Sequence, residues 1–189
     1  MTIKNALLGF VCMLSFGSTG FTQALDNQPA PITGTERVHW AIRSTVGPKS
    51  LVVGVFSSAW DTAVNVPEEY GPHWSGFAKR YGIRLTGIGA TNTIEAGLGS
   101  LWNEDPRYVR SGKGTLLDHV KYAGRMTFEA ERADGSLALA YVWFIVVPSA
   151  NFISNSWRAH SDRSVGDALV RTALGFTGRF FGNLVQELW

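Results

Sequence analysis

Residues 71–103 read GPHWSGFAKRYGIRLTGIGATNTIEAGLGSLWN, and this stretch decides the fold. Apolar side chains recur in it every three or four residues between Trp74 and Trp102. That spacing matches the 3.6-residue turn of an α-helix and leaves one apolar stripe along its length. The pattern therefore predicts one helix of about 30 residues, about 45 Å long at 1.5 Å per residue, that opens at Gly71-Pro72 and runs to Asn103.

A ridge of small residues runs beside the apolar stripe of this predicted helix. Its members are Gly82, Thr86, Gly89, Thr93, Ala96 and Ser100. Each glycine weakens a helix in water by about 1 kcal/mol relative to alanine. The ridge therefore predicts either the close approach of a neighbouring helix or a kink.

Helical spacing also extends to both sides of the long helix. Proline and glycine end the two preceding segments, and a capping box at Ser164–Asp167 opens the last one. The predicted helices are 36–46, 48–64, 115–132 and a C-terminal segment from 164 to 189. The sequence therefore predicts an all-α fold, a compact array of five or six hydrophobic, glycine-containing helices.

Residues 126–147 leave two interpretations open. Apolar residues step helically from Leu116 into this region, which favours a continuous helix. Ala133-Asp134-Gly135, however, has the composition of a turn, and residues 142–147 are rich in strand formers. The alternative fold class is accordingly an α fold with one β-hairpin around 126–147.

Residues 135–157 carry no charge over 23 positions, between Asp134 and Arg158. This length suffices for a helix that crosses a membrane. The second half contains Pro148 and several Asn and Ser residues, which suit a buried core helix followed by a loop. Membrane span and buried core helix both stay open.

The N-terminus has the features of a secretory signal peptide. One cation, Lys4, precedes an apolar run over residues 6–16, and Thr22-Gln23-Ala24 fits a signal-peptidase site. The predicted organisation is a signal peptide at 1–24, an extended arm at 25–35 and a single helical domain at 36–189. We therefore expect an exported protein of the periplasm or outer envelope. The single cysteine, Cys12, lies inside the predicted signal peptide, so disulfides and thiol chemistry are excluded from the mature chain.

The composition is unusual in its low charge. Charged residues make up 17% of the 189 residues, against roughly 25% in typical soluble domains. The net charge is +2 and the basic residues form no stripe, so no nucleic-acid partner is predicted. Seven Trp and five Tyr suit a membrane interface as well as a protein core.

Several short boxes resemble those of a group of exported bacterial proteins of unknown activity. The boxes are Gly76–Tyr81, Asn103–Tyr108, Phe152–Trp157, Gly182–Leu184 and Glu187–Trp189. The resemblance covers most of the mature length, and members of the group usually continue past the terminal Trp with Pro-Asp. It implies export and an all-helical fold, and it supplies no activity, catalytic residue or cofactor.

Charges inside the apolar helices are the most informative candidates for a site. Glu95 and Arg84 are 11 residues apart, so they share a helix face about 16 Å apart and each needs another partner. A buried charge without a partner is costly, so we expect Glu95 to meet an arginine of another helix, with Arg125, Arg171 and Arg179 as candidates. Asn92, one turn before Glu95, completes this predicted polar cluster. Glu95 then acts either as a lock between helices or as a general acid or base in a cleft.

A second candidate is the box Asp105-Pro106-Arg107-Tyr108, for which we predict a structural role. Pro106 ends the long helix, Asp105 is suited to accept backbone N–H groups, and Arg107 is suited to pair with a carboxylate. The four histidines lie on separate segments without metal-ligand spacing, so neither a metal nor another cofactor is predicted.

Three functional hypotheses follow from these observations. The first is a non-catalytic, exported helical protein associated with a membrane or another envelope component. The second is a binding module that holds a lipid or other apolar ligand in a groove between helices. The third, which has the weakest support, is an enzyme that uses the Glu95, Asn92 and Arg84 cluster.

Overall fold

The computed structural model describes residues 31–112 and 114–188. The predicted signal peptide at 1–24 and the arm up to residue 30 lie outside the described residues. Residues 31–33 precede the first helix, which begins at Gly34, two residues before the predicted start of the helical domain.

Six α-helices form most of the described chain, which confirms the predicted all-α class. Two short 3-10 helices lie in the connections, at Glu68–Tyr70 and His160–Asp162. The α-helices are α1 (Gly34–Val46), α2 (Pro48–Ala63), α3 (Trp74–Trp102), α4 (Leu116–Phe128), α5 (Tyr141–Ser154) and α6 (Val165–Leu188).

Side-chain caps begin three of these helices. Thr33 and Glu36 form a reciprocal capping box at α1, and Thr115 and Asp118 form another at α4. At α6 the Ser164 amide donates to Asp167 over 3.0 Å, and the Asp167 amide donates to Ser164 Oγ over 3.0 Å. Each box satisfies backbone donors that the first helical turn leaves without partners. The predicted capping box at Ser164 is therefore confirmed.

The hairpin alternative is confirmed, and the continuous helix through 126–132 is wrong. The three strands β1 (Glu104–Asp105), β2 (Glu129–Arg132) and β3 (Leu137–Leu139) form an antiparallel sheet in the order β1-β2-β3. Gly135 has a φ of 77° in the turn, a left-handed conformation that glycine adopts at low cost. The apolar spacing of α4 continues into residues 129–132, but the turn and the pairing with β1 make these residues a strand.

The uncharged stretch at 135–157 divides between β3 and the 14-residue helix α5. It therefore forms no continuous helix over its length. Among the described residues, no helix has the length and apolar character needed to cross a membrane.

Helix α3 lies at the centre of the packing, in contact with α1, α2 and α5, while α6 packs on α4 and α5. The buried apolar residues are few and small, and they include Ala123, Met126, Val142, Val146 and Ala168. The buried polar or charged residues of the described chain outnumber the buried apolar ones, and they include Arg37, Arg80, Glu95, Glu104, Asp105, Glu131, Asn183 and Glu187.

The predicted ridge of small residues on α3 is largely open. A Cβ added at Gly82 would meet nothing within 4 Å, and one at Gly89 would touch only Thr45, at 3.3 Å. Close approaches occur elsewhere, at Gly54, Gly76 and Gly99, where an added Cβ would lie within 3 Å of other atoms. The expectation of close helix packing along the ridge is therefore wrong for most of its length.

Helix α2 is amphipathic, but its polar face points inward and its apolar face points outward. Its interior face carries Gly54, Ser57, Ser58 and Asp61, which line a cavity or are buried. Its outward face is apolar: Val52, Val55 and Phe56 are each 46% exposed. In a typical surface helix the apolar stripe faces the core and the polar residues face water.

The outer faces of three other helices repeat this pattern. Large apolar side chains stand exposed on α1 (Val38, Ile42, Val46), α5 (Phe144, Ile145, Phe152, Ile153) and α6 (Val165, Leu169). An extended exposed apolar surface marks a site of contact with lipid, ligand or another protein.

Candidate functional site

Glu95 lies buried in the middle of the molecule, with 7% of its surface exposed. Burial raises the pKa of its carboxyl to about 7; Arg179 opposes this rise and Glu104 adds to it. The carboxyl lines a small cavity with Glu104, Trp143 and Arg179 that has a volume of about 10 Å³, about the space of one water molecule.

Arg179 of α6 is the arginine that the fold brings towards Glu95. It forms no ion pair with Glu95 within 4 Å; its guanidinium carbon lies 4.6 Å from the centre of the Trp143 ring instead. Nη2 donates to the Glu129 carbonyl over 3.4 Å, while buried Nη1 has no acceptor in the described part of the chain. The two charges therefore attract each other through space without direct contact.

Glu104 joins this region to the start of α5. Its Oε1 accepts the Tyr141 amide over 3.0 Å, and its Oε2 accepts the Val142 amide over 3.1 Å. A carboxylate at this position satisfies two backbone donors, and its negative charge is stabilised by the positive end of the helix dipole. Glu104 therefore caps α5 from a strand more than 30 residues away.

The remaining members of the predicted polar cluster lie elsewhere, so the cluster as predicted does not assemble. Asn92 donates to Thr45 Oγ1 of α1 over 3.0 Å. Arg125 is exposed and pairs with Glu129 over 2.6 Å, within its own segment. Arg84 donates to the Ser50 carbonyl of α2 over 3.2 Å. Asn92 and Arg84 thus bind neighbouring helices, Arg125 binds a residue four positions along the chain, and none of the three binds Glu95.

The box Asp105-Pro106-Arg107-Tyr108 forms a local clasp. Asp105 Oδ1 accepts the Arg107 amide over 2.9 Å, and its carboxylate pairs with the Arg107 guanidinium, with Nη2 2.6 Å from Oδ2. Asp105 is buried and Arg107 is partly exposed. One carboxylate thus fixes both the backbone turn and the arginine side chain, which is a structural arrangement.

Tyr108 leads to a cluster centred on Glu187, near the end of α6. The Glu187 carboxylate is 1% exposed and accepts the Tyr108 hydroxyl over 2.7 Å, the Ser111 amide over 3.0 Å and His119 Nδ1 over 2.8 Å. The Ser111 hydroxyl donates to the same carboxylate. Burial by itself raises the pKa of Glu187, but the hydrogen bonds from Ser111, Tyr108 and His119 outweigh it and hold the pKa below its ordinary value.

The geometry around Glu187 differs from that of a catalytic triad. In a triad the histidine accepts the serine proton at one ring nitrogen and donates to the carboxylate from the other. Here both Ser111 Oγ and His119 Nδ1 direct their hydrogens to the same oxygen, Glu187 Oε1. The cluster joins the 108–111 loop, α4 and α6, and we interpret it as an anchor.

A much larger cavity lies between α2, α3, α5 and α6, with a volume of about 740 Å³. This is within the range of small-molecule sites, roughly 300 to 1,000 Å³. Apolar side chains such as Ile83, Ile88 and Leu174 share its wall with serines, arginines and carboxylates. Its position between four helices makes it the candidate functional site of the molecule.

Arg80 fixes the loop that closes one end of this cavity. Its guanidinium donates to the carbonyls of Val66, Pro67 and Gly71 over 2.7 to 2.8 Å. Gly76, one turn earlier on α3, lets this loop approach, because a Cβ there would lie 2.2 Å from the Gly71 oxygen. Arg80 is therefore a structural residue that holds the cavity wall.

The α5–α6 connection supplies the opposite wall. Asp162 accepts Arg158 Nη1 over 2.6 Å and Arg171 Nη1 over 3.0 Å. Glu69 accepts the Ser161 amide over 2.9 Å, which ties the two ends of the wall together. Arg171 Nε is buried and has no acceptor among the described residues.

Asp61 faces the cavity from α2. Its carboxylate accepts no hydrogen bond and has no cation within 4 Å in the part of the chain that the structure describes. The side chain is accessible to water within the cavity, yet surrounding protein restricts its solvation and raises its pKa to about 6, while Arg80 and Arg158 oppose the rise. At neutral pH this carboxylate is close to its titration range.

The sequence suggests a groove between helices without specifying its lining residues, and it does not predict the Glu187 cluster. Glu187 and Ser111 are 76 residues apart, so no local spacing reveals their contact. In the sequence, Asp61 is distinguished only as a charge within the apolar segment 48–64. Over residues 31–112 and 114–188 no three His, Cys, Asp or Glu side chains lie close enough together to hold a metal ion.

Comparison with protein-family models, with curated proteins and with solved structures finds no match to this chain. The resemblance to a group of exported bacterial proteins therefore stays a prediction, and the functional argument has to come from the geometry of this molecule.

Proposed function

We propose that this chain is an exported, envelope-associated helical protein that works by binding at a lipid surface and carries out no catalysis. The observation that supports this most directly is the inverted character of α2. Its outward face presents Val52, Val55 and Phe56, and its interior face presents Ser57, Ser58 and Asp61. Such a helix is solvated on its inner side and suits an apolar medium on its outer side.

Two further observations support a lipid-facing surface. The outer stripes of α1, α5 and α6 are apolar in the same way, and the buried set is rich in charged residues. Exposing apolar area to water costs roughly 25 cal/mol per Å². This chain buries several charged residues and exposes many apolar side chains. Covering its outer faces with a lipid surface would remove that apolar area from water and so stabilise the bound state.

The test is flotation of the purified full chain with phospholipid vesicles in a density gradient. We expect the wild type to float with the vesicles. Val55→Glu places a charge on the outward face of α2 and is expected to lower the bound fraction by roughly tenfold, since burying a valine contributes about 1.5 kcal/mol or more. A wild type that stays in the lipid-free fraction would overturn the proposal.

Thr93→Glu is the matched control. Thr93 is exposed on α3, and its helix neighbours three and four residues away are Gly89, Ala90, Ala96 and Gly97, with no large apolar side chain among them. The same added charge at this position is expected to leave flotation nearly unchanged. Equal losses in both variants would point to general charge repulsion and would count against a lipid-facing surface on α2.

A second candidate function is the binding of an apolar ligand between helices, and the 740 Å³ cavity is the observation that favours it. Its apolar wall residues include Ile83, Ile88, Val170 and Leu174. Organic extraction of the purified protein followed by mass spectrometry tests this function. A co-purified hydrophobic molecule supports it, and an extract that contains none counts against it.

The enzyme hypothesis has lost its basis in the predicted cluster. Arg84 and Asn92 bind elements other than the one that Glu95 faces. The cavity at Glu95 has room for about one water molecule and none for an organic substrate. We therefore propose no reaction for this chain.

A further inference from the structure

Most carboxylates in the wall of the large cavity already have partners. Glu69 accepts two hydrogen bonds from Ser161, and Asp162 pairs with two arginines. Asp167 accepts the capping hydrogen bonds of Ser164, and Glu68 is exposed on the 3-10 helix at the rim.

Of the arginines in the wall, Arg158 and Arg171 pair with Asp162, whereas Arg80 and Arg84 form no ion pair within 4 Å in the described part of the chain. Arg80 is held by three loop carbonyls, but among the described residues Arg84 has a single acceptor.

Arg84 is a partly buried cation. In the described part of the chain its guanidinium makes a single hydrogen bond, 3.2 Å to the Ser50 carbonyl. Burial lowers the pKa of Arg84, and Tyr81 opposes this. Removing a guanidinium from water is costly unless an anion or several acceptors replace the water. The remaining donors of Arg84 are therefore available to an anion from outside the chain.

Gly54 makes the position of Arg84 feasible. A Cβ at Gly54 would lie 2.7 Å from Arg84 Nη1 and 2.9 Å from the Tyr81 ring. Because glycine stands there, the guanidinium lies against the α2 backbone at the cavity wall. The α2 sequence thus accommodates a cation that contributes no ion pair to the fold.

Arg171 lines the same cavity from α6, but its Nη groups already bind Asp162, Asn151 and Asn155, and its Nε is shielded from solvent. It therefore adds positive charge to the wall without an accessible donor. We propose that the cavity binds the phosphate group of a phosphate ester, with Arg84 as its anchor. A phosphate has several oxygens and accepts donors from different directions, and guanidinium groups bind it through paired N–H bonds.

The volume of the cavity and the character of its wall agree with this ligand class. About 740 Å³ exceeds what a phosphate alone needs, so the organic part of the ester has room against Ile83, Ile88 and Leu174. A purely apolar occupant would leave Arg84 without a counter-charge. This inference rests on the cavity and is independent of the lipid-facing outer surface proposed above.

Asp61 gives this binding a pH dependence with a defined sign. A bound phosphate disfavours the ionised carboxylate, so binding is coupled to proton uptake by Asp61. The charged groups that share the cavity wall with Asp61 are Arg80 and Arg84 of α3, Arg158 and Asp162 of the α5–α6 connection, Glu68 and Glu69 of the 3-10 helix, and Asp167 and Arg171 of α6. Of these, Arg80, Arg158 and Asp162 influence the pKa of Asp61. The ester takes up a second negative charge at about pH 6, close to where Asp61 titrates, so the contribution of Asp61 is the difference between the wild type and Asp61→Asn. Because the pKa of Asp61 is raised to about 6, we expect the affinity of the wild type relative to this variant to fall as the pH rises from about 5 to about 8.

The experiment is calorimetric titration of the full chain with glycerol 1-phosphate, with glycerol as the uncharged probe. We expect heat of binding with the phosphate ester and none with glycerol. Arg84→Gln is expected to weaken binding at least about tenfold, because it removes a charged donor. Arg43→Gln removes the same charge from the exposed end of α1, outside the cavity, and is expected to bind like the wild type.

Asp61→Asn is a second variant with the opposite expected result. It removes a negative charge from the cavity and is expected to strengthen binding at about pH 8, so that only the pH dependence of the ester's own ionisation is left. The expected gain in affinity of Asp61→Asn tests the inference even if circular dichroism shows that Arg84→Gln does not fold. A wild type that binds neither the ester nor phosphate-bearing lipid, or variants at Arg84 and Asp61 that both bind like the wild type, would overturn it.

A vesicle arm distinguishes a soluble ester from a lipid headgroup. The chain is mixed with phosphatidylcholine vesicles that contain or lack phosphatidate, and glycerol 1-phosphate is added as a competitor. Release of the chain from phosphatidate vesicles by the competitor assigns the cavity to the headgroup phosphate. Binding of the soluble ester without any preference for phosphatidate assigns it to a free ester. Flotation that is indifferent to both phosphatidate and competitor reports the outer surface alone, and with no heat from the ester it overturns the inference.

Discussion

The Tyr108 hydroxyl donates to Glu187 Oε2 over 2.7 Å and so joins the 108–111 loop to the last turn of α6, 79 residues later in the chain. Burial and this donated hydrogen bond raise the pKa of Tyr108 above its ordinary value. The Ser111 amide and His119 Nδ1 add to the same carboxylate. One buried charge thus fixes three separate segments at one end of the molecule.

Replacing Glu187 by Gln is expected to lower the free energy of unfolding by about 3 kcal/mol. The amide accepts fewer hydrogen bonds than the carboxylate and directs an NH₂ group towards Ser111 or Tyr108, so buried donors lose their acceptor at about 1 to 3 kcal/mol each. Urea unfolding followed by circular dichroism measures the change.

Tyr108→Phe is the graded comparison for this variant. It removes one donor and keeps the ring, including its edge contact with Tyr122 at 6.3 Å, so a loss of about 1 kcal/mol is expected. If both variants unfold at the wild-type urea concentration, Glu187 is not an anchor.

The lowered pKa of Glu187 also predicts how stability depends on pH in acid. Since the folded-state pKa lies below the unfolded value near 4.5, the stabilisation is complete above that value and is lost as the pH falls through the folded pKa. Glu187→Gln is therefore expected to flatten the fall in stability below about pH 4.5. A variant whose unfolding free energy falls as steeply in acid as that of the wild type would contradict the assignment.

The helices were predictable because their signals are local. The stripe from Trp74 to Trp102 and the capping residue Ser164 mark the structure within a few neighbouring positions. Asn103, at the predicted end of the long helix, adopts a φ of 54° as its C-cap. By contrast, β2 gains its structure from β1, a two-residue strand more than 20 positions earlier, and helical spacing in α4 gives no sign of this pairing.

The sites were less predictable because their contacts are distant in sequence. Glu95 is identifiable as a buried charge, yet the helix that faces it depends on how α6 packs. The polar face of α2, with Ser57, Ser58 and Asp61, has the composition of a solvent-exposed face. Only the packing of α3, α5 and α6 shows that this face lines a cavity.

Glu95 is expected to make stability depend on pH in the opposite direction to Glu187. Its pKa is raised to about 7 in the fold, from 4.5, so the folded state holds a proton that the unfolded state releases between these values. Stability from this group is present at low pH and is lost as the pH rises from about 4.5 to about 7. We therefore expect the unfolding free energy of Glu95→Gln, relative to that of the wild type, to be about 2 to 3 kcal/mol higher at pH 8 than at pH 5.

The measurement is a series of urea unfolding curves for wild type and Glu95→Gln at several pH values. The difference between the two proteins is expected to grow in favour of the variant as the pH rises. A difference that is constant with pH would show that Glu95 does not titrate on folding. A variant that is less stable at pH 8 would instead indicate a direct ion pair with Arg179.

Two glycines on α3 form a matched pair that tests the packing of the cavity loop. At Gly76 an added Cβ would lie 2.2 Å from the Gly71 oxygen and 2.5 Å from the Tyr70 oxygen, both backbone atoms. The loop has to move away and disturb the bonds that Arg80 makes to it, so Gly76→Ala is expected to destabilise by about 2 kcal/mol or more. At Gly82 an added Cβ meets nothing within 4 Å, so Gly82→Ala is expected to stabilise by about 0.5 to 1 kcal/mol through helix propensity and reduced chain entropy. Thermal unfolding of both variants decides between this packing and a loose loop, for which alanine would stabilise the helix equally at the two positions.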